Sequence, residues 1–226
     1  MIKKFGLPAL ALAVVAGLGL WAAQSPDTPA QSLLPGLAAE AQEAPATTAD
    51  LPAVPDMVLG NADAKVTLVE YASYTCPHCA NFHAAVFKDL KRDYIDTGKV
   101  KFVYREVYFD RYGLWAAMIA RCGGATRYFG INSMLFDGQK EWAASDDPAT
   151  VVDNLRRIGK TAGMDDAAMD VCMKDGNMAQ AMLNTWEANA KADAVEGTPT
   201  LILNGTKHSN MSYADLRALI DAELAK

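Results

Sequence analysis

The spacing of apolar residues along the chain predicts strands and helices in alternation. Residues 65–71 are apolar on both faces of an extended chain, which is typical of a strand at the centre of a covered sheet. Residues 100–109, with their aromatic and β-branched side chains, predict a second strand. Between the two, apolar residues recur at intervals of three and four, which predicts a helix with one buried face. That face comprises Cys79, Phe82, Val86, Leu90 and Tyr94.

A long helical segment separates the second strand from the third. Residues 112–190 show helical periodicity in several pieces, broken by Gly and Asp-Pro signals. Strand character returns at residues 200–203, and Asn204-Gly205 after them predicts a tight hairpin. Ser212 then caps a last amphipathic helix. The predicted order is therefore strand, helix, strand, helical insertion, hairpin and helix.

Two lysines followed by an apolar run of 19 residues open the chain and predict export. A run of this length also suffices to cross a bilayer, so residues 1–23 are a signal peptide or an N-terminal membrane anchor. Residues 24–56, rich in Ala, Pro, Gln and Thr, predict a disordered tether that buries no core. The folded body then comprises residues 57–111 and 192–226, with residues 112–191 inserted as a helical domain.

Charge and export narrow the function classes. The net charge is −6, from 21 basic and 27 acidic residues. Because phosphate contacts dominate nucleic-acid affinity, an acidic chain argues against DNA or RNA as a partner. Export places the body in an oxidising compartment, where cysteines favour disulfide chemistry over metal ligation.

The sequence Cys76-Pro77-His78-Cys79 lies at the junction of the first predicted strand and helix. Cys76 caps the helix and Pro77 suits its first position. The free N–H groups and positive dipole of a helix start stabilise a thiolate, so the Cys76 pKa is expected at roughly 3.5–7.5. Cys79 belongs to the buried face, and His78 can donate a hydrogen bond or positive charge to the thiolate. A stabilised thiolate makes the corresponding disulfide a strong oxidant.

The other two cysteines, Cys122 and Cys172, lie far from this motif and from each other. An even number of cysteines in an exported chain favours a second, structural disulfide between them. The alternative is two buried free thiols, because free cysteine packs as a small apolar residue.

Thr198-Pro199 stands directly before the third predicted strand. It can be an ordinary trans proline at a strand edge, or a cis peptide, which costs little only before proline. With the cysteine motif and the element order, it resembles the thioredoxin fold, in which a cis-proline loop faces the redox cysteines. The Cys-Pro-His-Cys sequence, the insertion and export further resemble the DsbA-like family of exported thiol–disulfide oxidoreductases. The implied fold class is α/β: a thioredoxin fold with a helical domain inserted between the second and third core strands.

This resemblance implies an enzyme that uses a redox-active disulfide, with no other cofactor and no metal. The Cys76–Cys79 disulfide would pass to reduced or unfolded exported polypeptides through a mixed disulfide at Cys76. The loop at Thr198-Pro199 would bind the polypeptide as an extended strand. A DsbB-like membrane quinone reductase would reoxidise the enzyme, which would act as a monomer in the periplasm, either soluble or tethered to the inner membrane.

Glu70 alternates with Val66 and Leu68, so its carboxyl group is expected in the apolar layer beneath the cysteines. A buried acid has a raised pKa and can exchange protons with Cys79. The resemblance implies the same role, since the family pattern has an acid at this spacing before the first cysteine. The alternative is an acid at a strand end, paired with Lys or Arg. His83 stands where the family often has a second acid, so the full proton relay is in doubt.

Other functions compete for the same residues. A disulfide isomerase or reductase would need a different redox poise, and isomerases of this fold usually add a dimerisation domain. A chaperone that holds unfolded exported chains could coexist with redox activity. A metal-binding module needs a further Cys or His pair at short spacing, which the remaining cysteines lack. Its candidate ligands would be Cys76, His78, Cys79 and His83.

Overall fold

A five-stranded mixed sheet forms the centre of the protein, whose computed structural model describes residues 51–226. The spatial order is β1-β3-β2-β4-β5. Strands β2 and β3 are parallel, whereas β1 pairs with β3, β4 with β2, and β5 with β4 in antiparallel fashion. The strands are β1 (Met57–Gly60), β2 (Val66–Ala72), β3 (Val100–Glu106), β4 (Thr200–Leu203) and β5 (Thr206–Ser209).

The sheet register brings three chain segments to one edge. Strands β2 and β3 run in parallel, so their carboxyl ends meet at the same edge, where Tyr71 pairs with Arg105. Strand β4 runs the other way, and its first residue, Thr200, also pairs with Tyr71. The loop after β2 and the loop before β4 therefore face each other, which places the Cys76 and Pro199 segments side by side.

One long helix follows β2 and will be called the Cys76 helix (residues 77–95). It consists of α1 (Pro77–Phe82), a wide π turn (His83–Phe87), α2 (Lys88–Leu90) and a second π turn (Lys91–Ile95). All five apolar residues of the predicted face are buried, so the periodicity identified the helix and its orientation. The Cys76 helix buries this face against the sheet and the insertion.

Six helices form the insertion between β3 and β4, as the sequence predicts. They are α3 (Arg111–Cys122), α4 (Gly124–Asp137), α5 (Gln139–Trp142), α6 (Pro148–Thr161), α7 (Asp166–Met173) and α8 (Gly176–Ala192). Their apolar side chains share one core with the sheet and the Cys76 helix. The insertion therefore shares its hydrophobic core with the body.

The chain ends in the predicted hairpin and helix. Asn204 and Gly205 join β4 to β5 with φ values of 46° and 85°, the left-handed conformation that a tight Asn-Gly turn requires. The side chain of Ser212 accepts a hydrogen bond from the Asp215 N–H and caps α9 (Tyr213–Leu224).

Three boundaries differ from the sequence-based expectation. Strand β1 was not predicted, and β3 ends at Glu106 rather than at residue 109. Residues 54–56, expected in the tether, contact the body: Asp56 pairs with Arg105, and Arg121 donates to the Pro55 carbonyl oxygen. A pattern of composition does not reveal such contacts, because they depend on arginines far along the chain.

The N-terminal prediction falls outside the described part of the chain. The signal or anchor segment and most of the tether belong to residues 1–50, which the structure does not describe. None of the helices within residues 51–226 combines the length and apolar character needed to span a bilayer.

Candidate active site

A tight turn presents Cys76 at the start of the Cys76 helix. The Cys76 N–H donates to the Ser73 carbonyl oxygen at 3.1 Å and closes the loop after β2. Cys76 occupies the N-cap with φ −81° and ψ 118°, and Pro77 follows in the first helical turn. Proline fits there because its fixed φ is helical and its missing N–H would have no helical partner. We name residues 73–76 the redox loop.

The two cysteines of the motif differ in accessibility. Both are free thiols, and 9% of Cys76 is exposed, whereas Cys79 is completely buried. The sequence predicts Cys76 at an exposed tip, which overstates its exposure because Thr198 lies against its sulfur. Only Cys76 offers any surface to an attacking thiolate.

Hydrogen bonds stabilise the Cys76 thiolate against the effect of burial. Burial alone would raise its pKa, but the Thr198 side chain, Cys79 and the His78 backbone, which can donate hydrogen bonds to the thiolate, together lower the pKa below its ordinary value. The contribution of His78 therefore comes from its main-chain N–H, as expected of a helix start. Its imidazole is exposed to solvent.

The Cys79 thiol has the opposite shift. Burial raises its pKa far above the ordinary value, and negative charge on Glu70 or Cys76 raises it further, although Thr198 and the backbone near Ser73 act in the other direction. Cys79 therefore holds its proton in the dithiol state. One helical turn separates a sulfur that favours the thiolate from a sulfur that favours the thiol.

Glu70 lies in the apolar layer at the centre of the sheet. It pairs in register with Tyr104 of β3 and Leu201 of β4, and only 3% of it is exposed. Burial raises the pKa of Glu70 to about 8. None of the salt bridges within residues 51–226 involves Glu70, and burial is the cause of its raised pKa. The position agrees with the expected buried acid and not with a strand-end ion pair.

The loop before β4 covers the sulfur of Cys76. The Thr198–Pro199 peptide bond is cis, and the Cys76 thiol donates to the Thr198 carbonyl oxygen at 3.6 Å. The Thr198 hydroxyl is buried and has no hydrogen-bond partner within the described residues. The hydroxyl is therefore free to donate to a thiolate.

A cleft of about 520 Å³ opens beside this loop. Its walls are formed by the exposed His78, by the loop before β4 and by the edge strand β5, whose outer side has no further strand paired to it among the described residues. The lining residues include His78, Glu196, Thr198, Pro199, Lys207 and His208. An open strand edge next to a reactive sulfur can accept an extended peptide.

Several residues of the site carry no recognisable signal in the sequence. Gln139 of α5 donates through Nε2 to the carbonyl oxygens of Tyr74 and Cys76. Thr75 donates to the carboxylate of Asp110, which caps α3. These contacts join the insertion to the redox loop. A lone Gln among helical residues gives no indication of such a role, because only the fold brings the two segments together.

The structure joins Cys122 and Cys172 in a disulfide, the pairing that the sequence analysis favoured. Their Cα atoms are 5.8 Å apart, within the usual range for such a bond. The bond links the end of α3 to α7, across 50 residues of sequence. It lies entirely in the insertion and uses neither of the motif cysteines.

Residues 51–226 contain no cluster of three or more His, Cys, Asp or Glu side chains that could hold a metal ion. The imidazole of His83 is buried and stacks between Phe87 and Phe136, with ring centroids 4.8 and 5.1 Å away. Burial lowers its pKa to about 4. His83 therefore belongs to the core and not to a set of ligands around the cysteines.

Comparisons with known proteins agree with this geometry. A thioredoxin family model matches residues 53–222. A putative protein-disulfide oxidoreductase of Rickettsia bellii is 35% identical over 167 residues, which cover 74% of this chain and 63% of that protein. The chain thus spans about three fifths of the length of the Rickettsia relatives. Disulfide bond formation protein D of Bacillus subtilis is 27% identical over 74% of this chain and 76% of that protein.

Solved structures resemble the chain over the same region. The crystal structure of Wolbachia pipientis α-DsbA1 superposes with a TM-score of 0.71 at 27% identity, and covers 78% of this chain and 94% of that one. A protein-disulfide isomerase from Novosphingobium aromaticivorans superposes with a TM-score of 0.66 at 26% identity, over 76% of this chain and 98% of that one. The chain therefore belongs to the thioredoxin family, and the solved structures that it resembles include a DsbA protein.

Proposed function

We propose that this protein oxidises exported polypeptides by donating the Cys76–Cys79 disulfide through a mixed disulfide at Cys76. The observation that carries the proposal is the placement of the two sulfurs: Cys76 caps the helix beside Thr198, whereas Cys79 is completely buried one turn further on. Their thiol pKa values are accordingly shifted in opposite directions. A thiolate stabilised at Cys76 favours the dithiol enzyme, and therefore favours transfer of the disulfide to the client. Cys79 is the leaving sulfur of the first step because its burial directs the attack to Cys76, and its raised pKa keeps it protonated in the mixed disulfide.

The first step consumes the enzyme disulfide. A client thiolate attacks Sγ of Cys76, a client–Cys76 bond forms, and the Cys76–Cys79 bond breaks with its electron pair on Cys79. Cys79 is the buried sulfur and its pKa is raised, so the departing thiolate takes up a proton. Attack at Cys76 is favoured because Cys79 is completely buried.

Glu70 is suited to supply that proton. With a pKa of about 8, its carboxyl group is mostly protonated at neutral pH. Because the pKa of Cys79 is raised above that of Glu70, proton transfer moves the negative charge from the Cys79 sulfur to the weaker base, the Glu70 carboxylate. On reoxidation of the enzyme the transfer runs in reverse, and Glu70 accepts the proton.

The second step releases the product. A second thiolate of the client attacks the client sulfur of the mixed disulfide, a client disulfide forms, and the Cys76–client bond breaks with its electrons on Cys76. The hydrogen bonds from Thr198 and from the first helical turn then stabilise the released Cys76 thiolate. Where the client has no second thiol within reach, Cys79 attacks Cys76 instead and frees the client.

The clients we propose are reduced, extended segments of polypeptides in the periplasm. The cleft beside Cys76 is open and is bounded by the loop before β4 and by an edge strand. Backbone pairing there would be independent of the client sequence, as a general oxidase requires. We place the enzyme, as a monomer, in the periplasm, either soluble or tethered, and propose a DsbB-like membrane quinone reductase as the oxidant that restores the disulfide.

Thiolate absorbance against pH, combined with equilibration in glutathione buffers, tests the oxidase. We expect a Cys76 pKa at or below roughly 7.5 and a dithiol form that persists in mildly oxidising buffer. Cys76→Ser should abolish oxidation of a reduced client peptide. A Cys76 pKa near the free value of about 8.5 would contradict an oxidising role.

A disulfide isomerase is the second candidate, and one structural neighbour carries that name. Isomerisation uses the same sulfur but begins from the dithiol enzyme, which attacks a wrong disulfide of the client. Two assays on one client distinguish an isomerase from an oxidase: the rate at which a form with scrambled disulfides refolds, and the rate at which the fully reduced form is oxidised. An isomerase would rescue the scrambled client faster than it oxidises the reduced one.

A further inference from the structure

One side chain from the insertion is bound to the main chain of the redox loop. Gln139 donates through Nε2 to the carbonyl oxygen of Tyr74 at 2.7 Å and to that of Cys76 at 3.0 Å. Gln139 is 7% exposed, and both hydrogen bonds are buried. A single amide group thus connects two carbonyls that flank the turn into the Cys76 helix.

Gln139 is itself held firmly. It begins α5 directly after Gly138, whose carbonyl oxygen accepts hydrogen bonds from the Glu141 and Trp142 N–H groups at 2.9 and 3.0 Å. The indole of Trp142 is buried and donates to the Leu135 carbonyl oxygen at 2.7 Å. The short helix is therefore fixed to α4, and its first side chain has little freedom to move away from the redox loop.

The Tyr74 side chain provides a second link between the redox loop and the insertion. Its buried hydroxyl donates to the Tyr128 hydroxyl at 3.2 Å and accepts from the Asn132 amide at 3.1 Å. Both partners belong to α4 of the insertion. These contacts hold Tyr74, whereas Gln139 is the one side chain within residues 51–226 that hydrogen-bonds to the main chain of Cys76 itself.

We propose that Gln139 is a positioning residue, which holds the Cys76 main chain so that its sulfur stays aligned with the donors of the first helical turn. The Cys76 carbonyl oxygen also accepts from the Cys79 and Ala80 N–H groups at 3.1 and 3.2 Å. Gln139 adds a hydrogen bond to that oxygen from the side of the insertion, which fixes the carbonyl between two elements. The insertion thereby acts on the redox chemistry through the main chain of Cys76.

This inference rests on the proposed redox role of Cys76 but can be tested without a client. Loss of the Gln139 amide leaves the buried Tyr74 carbonyl oxygen without this donor, takes one of three hydrogen bonds from the Cys76 carbonyl oxygen, and removes partial positive charge from the vicinity of Cys76. The thiolate then loses alignment with the Thr198 and backbone donors that stabilise it. The thiol form of Cys76 should gain at the expense of the thiolate, and the disulfide form of the enzyme should gain at the expense of the dithiol form, so the enzyme becomes a weaker oxidant.

Gln139→Met tests the role, because methionine keeps the length of the side chain and removes both donors. We expect the Cys76 pKa, measured by thiolate absorbance in the full chain, to rise by about half to one unit. The equilibrium constant with glutathione should shift about three- to tenfold toward the enzyme disulfide. Gln180→Met is the matched control, since Gln180 is exposed on α8 and bonds only to Asn184; it should change neither value.

A Gln139→Met protein that melts at a lower temperature but keeps the wild-type Cys76 pKa would overturn the proposal, because Gln139 would then be merely structural. Gln139→Glu is the second variant. It has nearly the same shape, but its ionised carboxylate offers no donor and adds negative charge, so the Cys76 pKa should rise at least as far as in Gln139→Met. An unchanged pKa in this variant would also contradict the proposal.

NMR of the wild-type protein tests the same coupling without a substitution that could disturb folding. The side-chain amide resonances of Gln139, in protein labelled with ¹⁵N-glutamine, should shift with pH at the midpoint of Cys76 titration. Resonances that do not respond at that midpoint would overturn the proposed coupling. These outcomes are distinct from failure of the proposed function, which an ordinary Cys76 pKa in the wild-type protein would indicate.

Discussion

Cys76 and Cys79 show how far two identical side chains can diverge within one helical turn. The pKa of Cys76 is lowered by hydrogen bonds from the helix start and from Thr198, in spite of burial. The pKa of Cys79 is raised because it lies deeper and faces Glu70. The chemical roles of the two sulfurs follow from depth and from donors, not from the residue type.

A substitution of Thr198 can remove a side-chain donor next to Cys76 without breaking another hydrogen bond. Because the hydroxyl is buried without another partner within the described residues, Thr198→Val preserves shape and removes one potential donor to the thiolate. We expect the Cys76 pKa to rise by about one unit, as a hydrogen bond to a charged group is worth roughly 1.5–3 kcal/mol. Thiolate absorbance measures the shift. Thr206→Val, on the exposed strand β5, is the control and should leave the pKa unchanged.

Glu70 should impose a pH dependence on stability. The folded state holds the Glu70 proton up to about pH 8, while the unfolded chain releases it near 4.5. Between these values the folded state binds more protons, so the free energy of unfolding falls as pH rises. Glu70→Gln should remove that decrease, as urea unfolding at pH 5 and pH 8 will show. Equal pH slopes in the two proteins would contradict a buried, protonated Glu70.

The same variant tests the proposed proton transfer. If Glu70 protonates the departing Cys79 thiolate, Glu70→Gln should slow the first exchange step on the order of 100-fold, a usual contribution for a positioned acid. Stopped-flow reduction of the oxidised enzyme by a client peptide measures this rate. Glu223→Gln, at an exposed ion pair near the C-terminus, is the control. A wild-type rate in Glu70→Gln would show that the proton comes from elsewhere.

At the scale of elements, the Cys122–Cys172 disulfide joins α3 to α7 across 50 residues. A bond that closes a loop of this length stabilises the fold mainly by restricting the unfolded chain. Replacing both cysteines with alanine should lower the free energy of unfolding by about 4 kcal/mol, measured by urea denaturation. The Cys76→Ala/Cys79→Ala protein is the matched control and should keep most of its stability.

Mass mapping provides a check on the pairing itself. Without reductant, alkylation should spare Cys122 and Cys172 in the native protein and in the unfolded protein alike. Modification of either residue in unreduced, unfolded protein would refute the structural disulfide.

At the scale of the whole molecule, His83 should limit stability in acid. Its folded pKa of about 4 lies below the unfolded value of 6.5, so the unfolded chain binds more protons between these pH values. Stability from the neutral imidazole is therefore complete above pH 6.5 and falls as pH drops toward 4, by roughly 3 kcal/mol. His83→Leu should flatten this part of the unfolding curve relative to wild type.

The sequence by itself determined the elements that depend on short-range rules. Periodicity identified the buried strand β2 and the face of the Cys76 helix, and Asn204-Gly205 specified the hairpin. The motif from Cys76 to Cys79 specified a reactive helix start, since caps and proline positions follow from neighbouring residues. The sequence analysis did not predict β1, because a strand of four residues is too short to show a clear alternation of apolar and polar positions.

Only the tertiary structure decided what surrounds the reactive sulfur. Thr198 reaches Cys76 because β4 pairs with β2, and Gln139 reaches it because the insertion folds back over the redox loop. The end of the tether also differs from the sequence-based expectation because of a tertiary contact, in which Asp56 pairs with Arg105 on β3. Contacts between residues tens of positions apart leave no local pattern in the chain. The motif Cys76-Pro77-His78-Cys79 therefore indicates thiol–disulfide chemistry from the sequence alone. The surroundings that set the pKa of the Cys76 thiol depend on tertiary packing.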